Sequence, residues 1–296
     1  MCAGKMHADE VNIDVSLVRR LVDAQFPQWA DLPIRAVRST GTVNAIYRLG
    51  DHLYARLPRV QKWALDLDKE WHWLPRLAPR LSLRVPEPVG KGHPADSYPF
   101  SWAIYGWIDG QQYSDELVDD EHQAARDLAQ FVVELRRIDS VGAPRGGRKP
   151  LHELDAVTRA AIESARGVID SDAATAVWER ALEAPAWKGT PVWIHTDLLR
   201  PNVLVHGGRI CAVIDFGGAG VGDPAADVIA AWSVFSHTGR GKFRATLDVD
   251  DGTWSRARGF ALHQAAMIIP YYGETNPEFV ALAKRTVEEV LADFNV

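Results

Sequence analysis

Three polar side chains stand at spacings that could support metal-assisted chemistry in the segment 192–217. Asn202 comes just before one strand-like run and Asp215 just after the next, with Gly207-Gly208 between the runs. Two glycines between apolar runs indicate a tight β-hairpin, so folding should bring Asn202 and Asp215 side by side at its open end. An amide oxygen and a carboxylate are ligands that a hard divalent cation accepts. The pattern therefore predicts a site for a hard divalent cation at Asn202 and Asp215.

The third side chain is the carboxylate of Asp197, which lies five residues upstream of Asn202 in a predicted loop. It is close to the metal pair without belonging to it. A carboxylate there can accept the proton of an attacking hydroxyl and aim the hydroxyl at a phosphorus atom. We therefore predict Asp197 as a catalytic base. We expect the ring of His195 to fix the loop by hydrogen bonding to backbone.

The elements that must position these residues form two groups along the chain. The front has an amphipathic helix and short strand-like runs separated by glycine, which is typical of an antiparallel sheet, and the back is mainly helical. The predicted helices are 13–29, 63–77, 120–138, 153–182, 225–235, 254–270 and 278–294, and the predicted strands are 34–39, 45–49, 53–57, 100–108 and short runs within 192–214. The sequence thus predicts an α+β fold with a small antiparallel β N-lobe (1–105), a hinge (106–110) and a larger, mainly helical C-lobe (111–296).

Composition restricts the class of protein. The 296 residues carry a net charge of −6, which argues against a nucleic-acid partner. No stretch approaches the ~20 apolar residues that cross a bilayer, so no membrane partner is expected. With only two cysteines, the cytoplasm is the predicted location. Residues 1–103 hold 14 basic and 11 acidic side chains, whereas the remainder holds 19 basic and 28 acidic ones. A basic front and an acidic back would suit an anionic cofactor and a cationic substrate. Ordinary variation between surfaces explains the same counts.

The order of the candidate residues resembles that of a known family. His195-x-Asp197-x4-Asn202 followed by Asp215-Phe216-Gly217 is similar to the catalytic and metal-binding loops of protein kinases. Thr196, the stretch Gly222-Asp223-Pro224-Ala225-Ala226-Asp227 and the chain length resemble the aminoglycoside phosphotransferase family more closely, whose relatives include macrolide, choline and homoserine-type kinases. The resemblance implies a protein-kinase-like fold, with Asp197 as base, Mg²⁺ on Asn202 and Asp215, ATP or GTP as co-substrate, and Asp227 bracing the catalytic loop.

The resemblance extends into the front of the chain. Gly41 and Thr42 resemble the family's phosphate-covering turn, although an ordinary hairpin turn explains the same residues. Arg56 stands where the family places its phosphate-pairing lysine, and Glu70 stands where the glutamate that anchors this lysine should be. Arginine keeps the charge but differs in reach and geometry. A structural Arg56–Glu70 ion pair without nucleotide contact is the alternative.

The segment 104–110 matches the linker between the lobes of that family. There, the relatives hydrogen-bond adenine through main-chain groups. The corresponding residues here are Gly106, Trp107 and Ile108, which are the predicted contacts of the nucleotide base.

The acceptor molecule is less well defined than the nucleotide. The family builds its acceptor pocket from helices after the catalytic loop, where the predicted contacts are Trp232, His263, Tyr271, Tyr272 and Glu274, with the acidic run 248–251. An acidic pocket would suit a cationic aminoglycoside, and an aromatic pocket would suit a macrolide or a smaller metabolite. The favoured interpretation is an antibiotic phosphotransferase that is a monomer or a homodimer. A choline- or homoserine-like kinase and an inactive, nucleotide-binding regulator are the alternatives.

Overall fold

The computed structural model describes residues 10–37, 43–95 and 98–294. Contacts divide the chain into two compact units. Unit 1 comprises Met1–Pro79, Arg84–Asp109 and Ile214–Gly217, and unit 2 comprises Arg80–Leu83, Gly110–Val213 and Gly218–Val296. Asp215 therefore belongs to the unit that contains the N-terminal strands, whereas Asp197 and Asn202 belong to the other unit.

Unit 1 is built on an antiparallel sheet. Its elements are α1 (Val15–Gln25), β1 (Ile34–Ala36), β2 (Asn44–Leu49), β3 (Leu53–Pro58), α2 (Gln61–Leu77), β4 (Pro88–Gly92) and β5 (Trp102–Gly106). The five strands have the order β1-β2-β3-β5-β4. Leu17 and Leu21 of α1 are buried in the same apolar core as Tyr47 and Trp102 of the sheet. The core therefore lies between this helix and one face of the sheet.

Strand β4 was not predicted from the sequence, because its glycines conceal the usual alternation of apolar and polar residues. A Cβ atom at Gly90 would lie 2.8 Å from the ring of Phe26, and one at Gly92 would lie 2.1 Å from the indole of Trp102. These large side chains occupy the space that strand side chains normally fill. The close packing of aromatic rings thus requires glycine in the strand.

Unit 2 is mainly helical and carries two small sheets. Its elements are β6 (Gln111–Gln112), α3 (Glu121–Arg136), α4 (Leu151–Ser164), α5 (Ser171–Leu182), β7 (Val192–Ile194), β8 (Val203–His206), β9 (Arg209–Val213), β10 (Gly220–Gly222), α6 (Ala225–Val228), α7 (Ala230–Ser233), α8 (His237–Leu247), α9 (Asp251–Tyr272) and α10 (Pro277–Phe294). The sheets have the orders β6-β8-β9 and β10-β7. The predicted hairpin is β8–β9, in which Val203 pairs with Val213.

The single helix predicted over 153–182 is wrong, because the chain turns between α4 and α5. Gly167 has a φ of 87°, which a right-handed helix excludes, and the Asp170 carboxylate accepts a hydrogen bond from the amide of Ala173 at 3.0 Å to begin α5. Helix α8 was not predicted, because its buried face includes the charged Arg240. That guanidinium pairs with Glu289 and Asp293, which compensate its burial.

The predicted α+β organisation, with a small antiparallel sheet at the front and a larger helical part at the back, is confirmed. Within the described ranges, the helices are too short or too polar to cross a bilayer.

A buried histidine connects two helices of unit 2. The Thr158 hydroxyl of α4 donates a hydrogen bond to the carbonyl of Leu154 at 2.7 Å, so its oxygen is left to accept one from Nδ1–H of His263 in α9, at 2.8 Å. Burial lowers the pKa of His263 from 6.5 to about 4, and the nearby charge of Arg148 acts in the same direction. The native imidazole is therefore neutral.

This histidine should make the free energy of unfolding depend on pH. Between pH 6.5 and 4 the unfolded chain binds a proton at His263 that the native protein does not bind, so stability falls as the pH is lowered. We expect the His263→Asn variant to lose a slope of up to about 1.4 kcal/mol per pH unit in that window. Urea denaturation at several pH values measures the slope.

The matched control is His237→Asn at an exposed histidine, which should keep the slope of the parent. Carboxylates titrate equally in all three proteins and cancel in the comparison. A His263→Asn variant with the parent's slope would contradict the neutral, buried assignment.

Candidate active site

The carboxylate of Asp197 is fixed by two side-chain amides of unit 2. Nδ2 of Asn202 donates to Oδ2 of Asp197 at 2.8 Å and to its backbone carbonyl at 2.9 Å, and Nε2 of Gln264 donates to Oδ1 at 2.6 Å. Asp197 and Asn202 lie in the loop between β7 and β8, and Gln264 lies in α9. The structure thus brings two of the sequence-predicted residues together and adds a third that the sequence did not reveal.

A buried carboxylate holds the start of this loop. The two oxygens of Asp227 accept hydrogen bonds from the backbone amides of His195, at 2.9 Å, and Thr196, at 2.8 Å. Burial raises the pKa of Asp227 above its usual range, while the hydrogen bonds from the two backbone amides act in the opposite direction. This is the bracing role that the resemblance implied for Asp227.

The ring of His195 also supports the loop. The side chain is fully buried, and Nδ1 accepts a hydrogen bond from the amide of Asp197 at 3.3 Å. The backbone-fixing role expected for this histidine therefore agrees with its position.

The backbone is strained at two candidate positions. Thr196 has a φ of 77° and Asp215 a φ of 65°, both in the left-handed region that favours glycine. For a β-branched threonine this conformation is costly and persists only where surrounding contacts enforce it. Next to it, a Cβ atom at Gly218 would lie 2.4 Å from the Thr196 hydroxyl, so a larger residue there would displace this side chain.

In unit 1, Arg56 is the centre of a buried ion cluster. Its guanidinium pairs with Glu70 through Nη1 and with Asp215 through Nη2, the latter at 3.1 Å. The hydroxyl of Tyr105 donates to Glu70 at 3.0 Å. With its amide oxygen facing Arg56, Asn44 accepts from Nε at 2.8 Å and from Nη2 at 3.0 Å. Burial alone would lower the pKa of Arg56, but the two carboxylates outweigh burial and raise it.

Comparison with known proteins identifies the family. The model of the phosphotransferase enzyme family (APH) matches residues 35–260. The chain belongs to this family. The uncharacterized protein YcbJ of Bacillus subtilis is 28% identical over 159 residues, a stretch that covers 50% of this chain and 48% of that protein. The match thus spans about half the length of that curated relative.

Solved structures of phosphotransferases share the fold. An APH(2″) enzyme in complex with GDP and kanamycin superposes with a TM-score of 0.75 at 20% identity, over 94% of this chain and 99% of that one. The apoenzyme of a macrolide 2′-phosphotransferase from Brachybacterium faecium superposes with a TM-score of 0.60 at 19% identity, over 92% and 98%. The predicted kinase-like α+β fold is thereby confirmed.

The predicted nucleotide contacts of this phosphotransferase differ in whether their backbone amides already donate a hydrogen bond within the protein. The amide of Gly106 donates to the carbonyl of Glu87 at 2.9 Å, and the amide of Trp107 donates to the carbonyl of His52 at 2.7 Å. Neither bond involves Ile108, whose amide is therefore the better candidate for contact with a base. Gly41 and Thr42 lie outside the described residues.

The predicted acceptor contacts separate into buried and exposed residues. Trp232 is fully buried, with its ring centroid 4.5 Å from that of Trp254, so it belongs to the core and its prediction as a substrate contact is corrected. His263 is buried against Thr158, as described above. Tyr271 and Tyr272 form an edge-to-face pair, and Tyr271 and Glu274 are exposed.

The acidic run 248–251 has a local role at the junction of two helices. Asp248 ends α8 in the left-handed conformation, and Asp250 begins α9 by accepting from the amide and the hydroxyl of Thr253 at 2.7 and 2.8 Å. Asp251 pairs with Arg244. These contacts account for the run without a bound cation.

Arg148 is a second residue that the sequence did not reveal. Its Nη2 donates to the carbonyl of Thr196 at 3.3 Å, and its Nε is buried without a hydrogen-bond partner among the described residues. Burial lowers the pKa of Arg148, and the carboxylates of Asp197 and Asp227 act against this effect. No spacing signal marks Arg148, because it lies in the irregular, glycine-rich loop between α3 and α4.

Close backbone contact fixes the position of that loop. The amide of Gly146 donates to the carbonyl of Val221 at 3.1 Å, and the amide of Val221 donates to Pro144 at 2.8 Å. A Cβ atom at Gly146 would lie 2.6 Å from Cα of Gly220. The loop thus lies directly on β10, which places Arg148 beside the loop that carries Asp197.

The Arg56 cluster generates a prediction about stability. Arg56 is 6% exposed and Glu70 2%, so Arg56→Ala leaves a buried carboxylate without its cation. We expect a loss of about 3–5 kcal/mol in the free energy of unfolding, measured by urea denaturation. The double variant Arg56→Met/Glu70→Gln should recover most of this loss, because both charges are removed and the new amide oxygen can still accept from Tyr105. A double variant as unstable as the single one would contradict this account.

Proposed function

We propose that this phosphotransferase moves the terminal phosphoryl group of ATP or GTP to a hydroxyl of a small molecule in a Mg²⁺-dependent reaction. The observation that carries the proposal is the geometry at Asp197, whose carboxylate is fixed by Asn202 and Gln264 on a loop braced by Asp227. A carboxylate held in this way is preorganised to accept one proton from a hydroxyl that approaches it.

Asp197 would act on the acceptor and not on the nucleotide. Its carboxylate would accept a hydrogen bond from the acceptor hydroxyl and take its proton as the oxygen bonds to phosphorus. Asn202 donates one hydrogen bond to one carboxylate oxygen of Asp197, and Gln264 donates one to the other. Each oxygen therefore retains a lone pair that can accept a hydrogen bond from the incoming hydroxyl.

Each of the two proposed metal ligands offers an oxygen of the kind that Mg²⁺ accepts. Both amide hydrogens of Asn202 are donated to Asp197, which leaves its side-chain oxygen as the group for a cation. Asp215 offers a second carboxylate oxygen beside the one that Arg56 binds. Among the described residues no group of three or more His, Cys, Asp or Glu side chains could hold a metal, and Mg²⁺ typically needs only one or two carboxylates with waters and phosphates. When bound, Mg²⁺ would orient the triphosphate and neutralise charge on its oxygens.

Arg56 and Ile108 are the proposed nucleotide contacts in unit 1. Of the five hydrogens on the Arg56 guanidinium, the bonds to Glu70, Asp215 and Asn44 use four, so among the described contacts one Nη1 hydrogen stays available to a phosphate oxygen. A relative of this fold binds GDP, which supports a nucleotide co-substrate. Glu70 would then hold Arg56 in place, as the resemblance implied.

Antibiotics are the proposed acceptors, since relatives of this fold include a kanamycin complex and a macrolide 2′-phosphotransferase. Tyr271, Tyr272 and Glu274 are kept as proposed contacts because they lie at or near the surface. The cytoplasmic location and the monomeric or homodimeric state stay predictions of the sequence.

The reaction is tested by measuring nucleoside diphosphate release with Mg²⁺ and ATP or GTP. The acceptor panel contains kanamycin, a macrolide, choline and homoserine. Asp197→Asn should reduce turnover by ~10²–10⁴, the usual value of a positioned general base, with nearly unchanged nucleotide affinity. A variant with normal turnover would remove Asp197 from this role, and a parent that is inactive with every nucleotide and acceptor, water included, would contradict the proposed function.

The metal is tested at Asp215. Asp215→Asn removes the charge but keeps a residue that tolerates the φ of 65°. We expect the variant to lose the Mg²⁺-dependent tightening of nucleotide binding, because asparagine is a weaker ligand for a hard cation. Calorimetry with and without Mg²⁺ measures the effect, and equal Mg²⁺ dependence in variant and parent would exclude Asp215 as a ligand.

A further inference from the structure

Gln264 connects the candidate base to a small pocket in unit 2. Its Nε2 donates to Asp197, and the same side chain lines a pocket formed by α9, α10 and residues 199–201 of the catalytic loop. The residue is therefore in contact with the base on one side and with the pocket on the other.

The other end of the Gln264 amide is unsatisfied. Its Oε1 is buried and has no hydrogen-bond partner among the described residues. A buried acceptor without a donor is costly, so such groups in native proteins usually have a functional explanation. Because Gln264 also lines the pocket, a ligand bound there would have this amide oxygen as a nearby acceptor for a hydrogen-bond donor.

The charge of the pocket limits the kind of ligand. Its wall is mainly apolar, with Ile268, Phe279 and Leu282 among its residues, and it contains no Asp or Glu. The one charged lining residue is Arg200, whose guanidinium donates to Asp115 and to the carbonyl of Val234. A polycation would find no carboxylate on this wall.

The cation beside Asp197, Arg148, also disfavours a positively charged acceptor. Arg148 donates to the carbonyl of Thr196, and no described carboxylate lies within ion-pair distance of it. An ammonium group close to the reacting hydroxyl would therefore share the surroundings of Asp197 with a second cation, the Arg148 guanidinium that binds the carbonyl of Thr196.

We propose that Gln264 positions Asp197 through its amide nitrogen and selects the acceptor through its free oxygen, so that the preferred acceptor is an uncharged molecule with a second hydrogen-bond donor beside the reacting hydroxyl. This inference rests on the proposed phosphotransfer. It decides against the cationic acceptor that the uneven charge of the sequence would suit. Within the antibiotic classes it separates the polycationic aminoglycosides from acceptors whose reacting region is uncharged.

The test compares Gln264→Leu and Gln264→Glu with the parent, using water, trans-cyclohexane-1,2-diol, cyclohexanol and kanamycin as acceptors. The parent should use the diol at least ~10-fold better than cyclohexanol in kcat/KM, the scale of one hydrogen bond in a site. In Gln264→Leu this preference should disappear. In both variants the kcat for nucleotide hydrolysis by water should fall roughly tenfold, at unchanged KM for the nucleotide, because the amide donor to Asp197 is lost.

Gln130→Leu is the matched control, since this exposed glutamine of α3 donates only to Glu134 and should leave all rates unchanged. Thermal unfolding checks that each variant is folded. A tenfold gain of Gln264→Glu with kanamycin would overturn the inference in favour of a cationic acceptor. Unchanged kinetics of both variants beside an active parent would overturn this inference alone, whereas an inactive parent would overturn the proposed function and the inference with it.

Discussion

The loop from His195 to Asn202 depends on one buried carboxylate. Asp227 accepts hydrogen bonds from two consecutive amides, those of His195 and Thr196. A carboxylate buried in this way loses its hydration, and the amides supply the compensating bonds. Two consecutive amides can point at one carboxylate only if the backbone turns sharply, which accounts for the left-handed conformation of Thr196. The direction in which the chain leaves that turn places Asp197 between its two amide donors.

In unit 1 the arrangement is reversed, because one buried cation, Arg56, donates hydrogen bonds to several acceptors. The guanidinium of Arg56 is planar and carries five hydrogens, so it can bind Glu70, Asp215 and Asn44 at once. A lysine, with three donors at one nitrogen, could not bind these groups in the same directions. The arginine that replaces the expected lysine thus matches the three groups that surround it. Substitution of this residue alone would disturb three partners.

The sequence predicted those parts of the site that are set by local spacing. The loop from His195 to Asn202 and the hairpin that follows it are encoded within a few residues, and the glycine pair between the strands marks the turn. Gln264 and Arg148 approach Asp197 from elements that are distant in the sequence, and only tertiary packing determines their position. Trp232 was assigned to the acceptor by its type, whereas its burial is set by neighbours such as Trp254. In the fold, β4 was not predicted because its glycines make room for neighbouring aromatic rings. The turn at Gly167 was not predicted because it depends on a left-handed backbone conformation.

The contact between Gly146 and Gly220 restricts how this protein can diversify. Each glycine faces the backbone of the other, so a side chain at either position meets main-chain atoms that cannot rotate aside. A change at one site is not rescued by a change at the other, since both strands of backbone would have to separate. At the far end of the same loop, Gly142 has no atom within 4 Å of its Cβ position, and only its left-handed φ of 73° resists substitution. Asparagine or aspartate can adopt that conformation. The part of this loop near α3 can therefore vary in sequence, while close backbone packing fixes the part that carries Arg148.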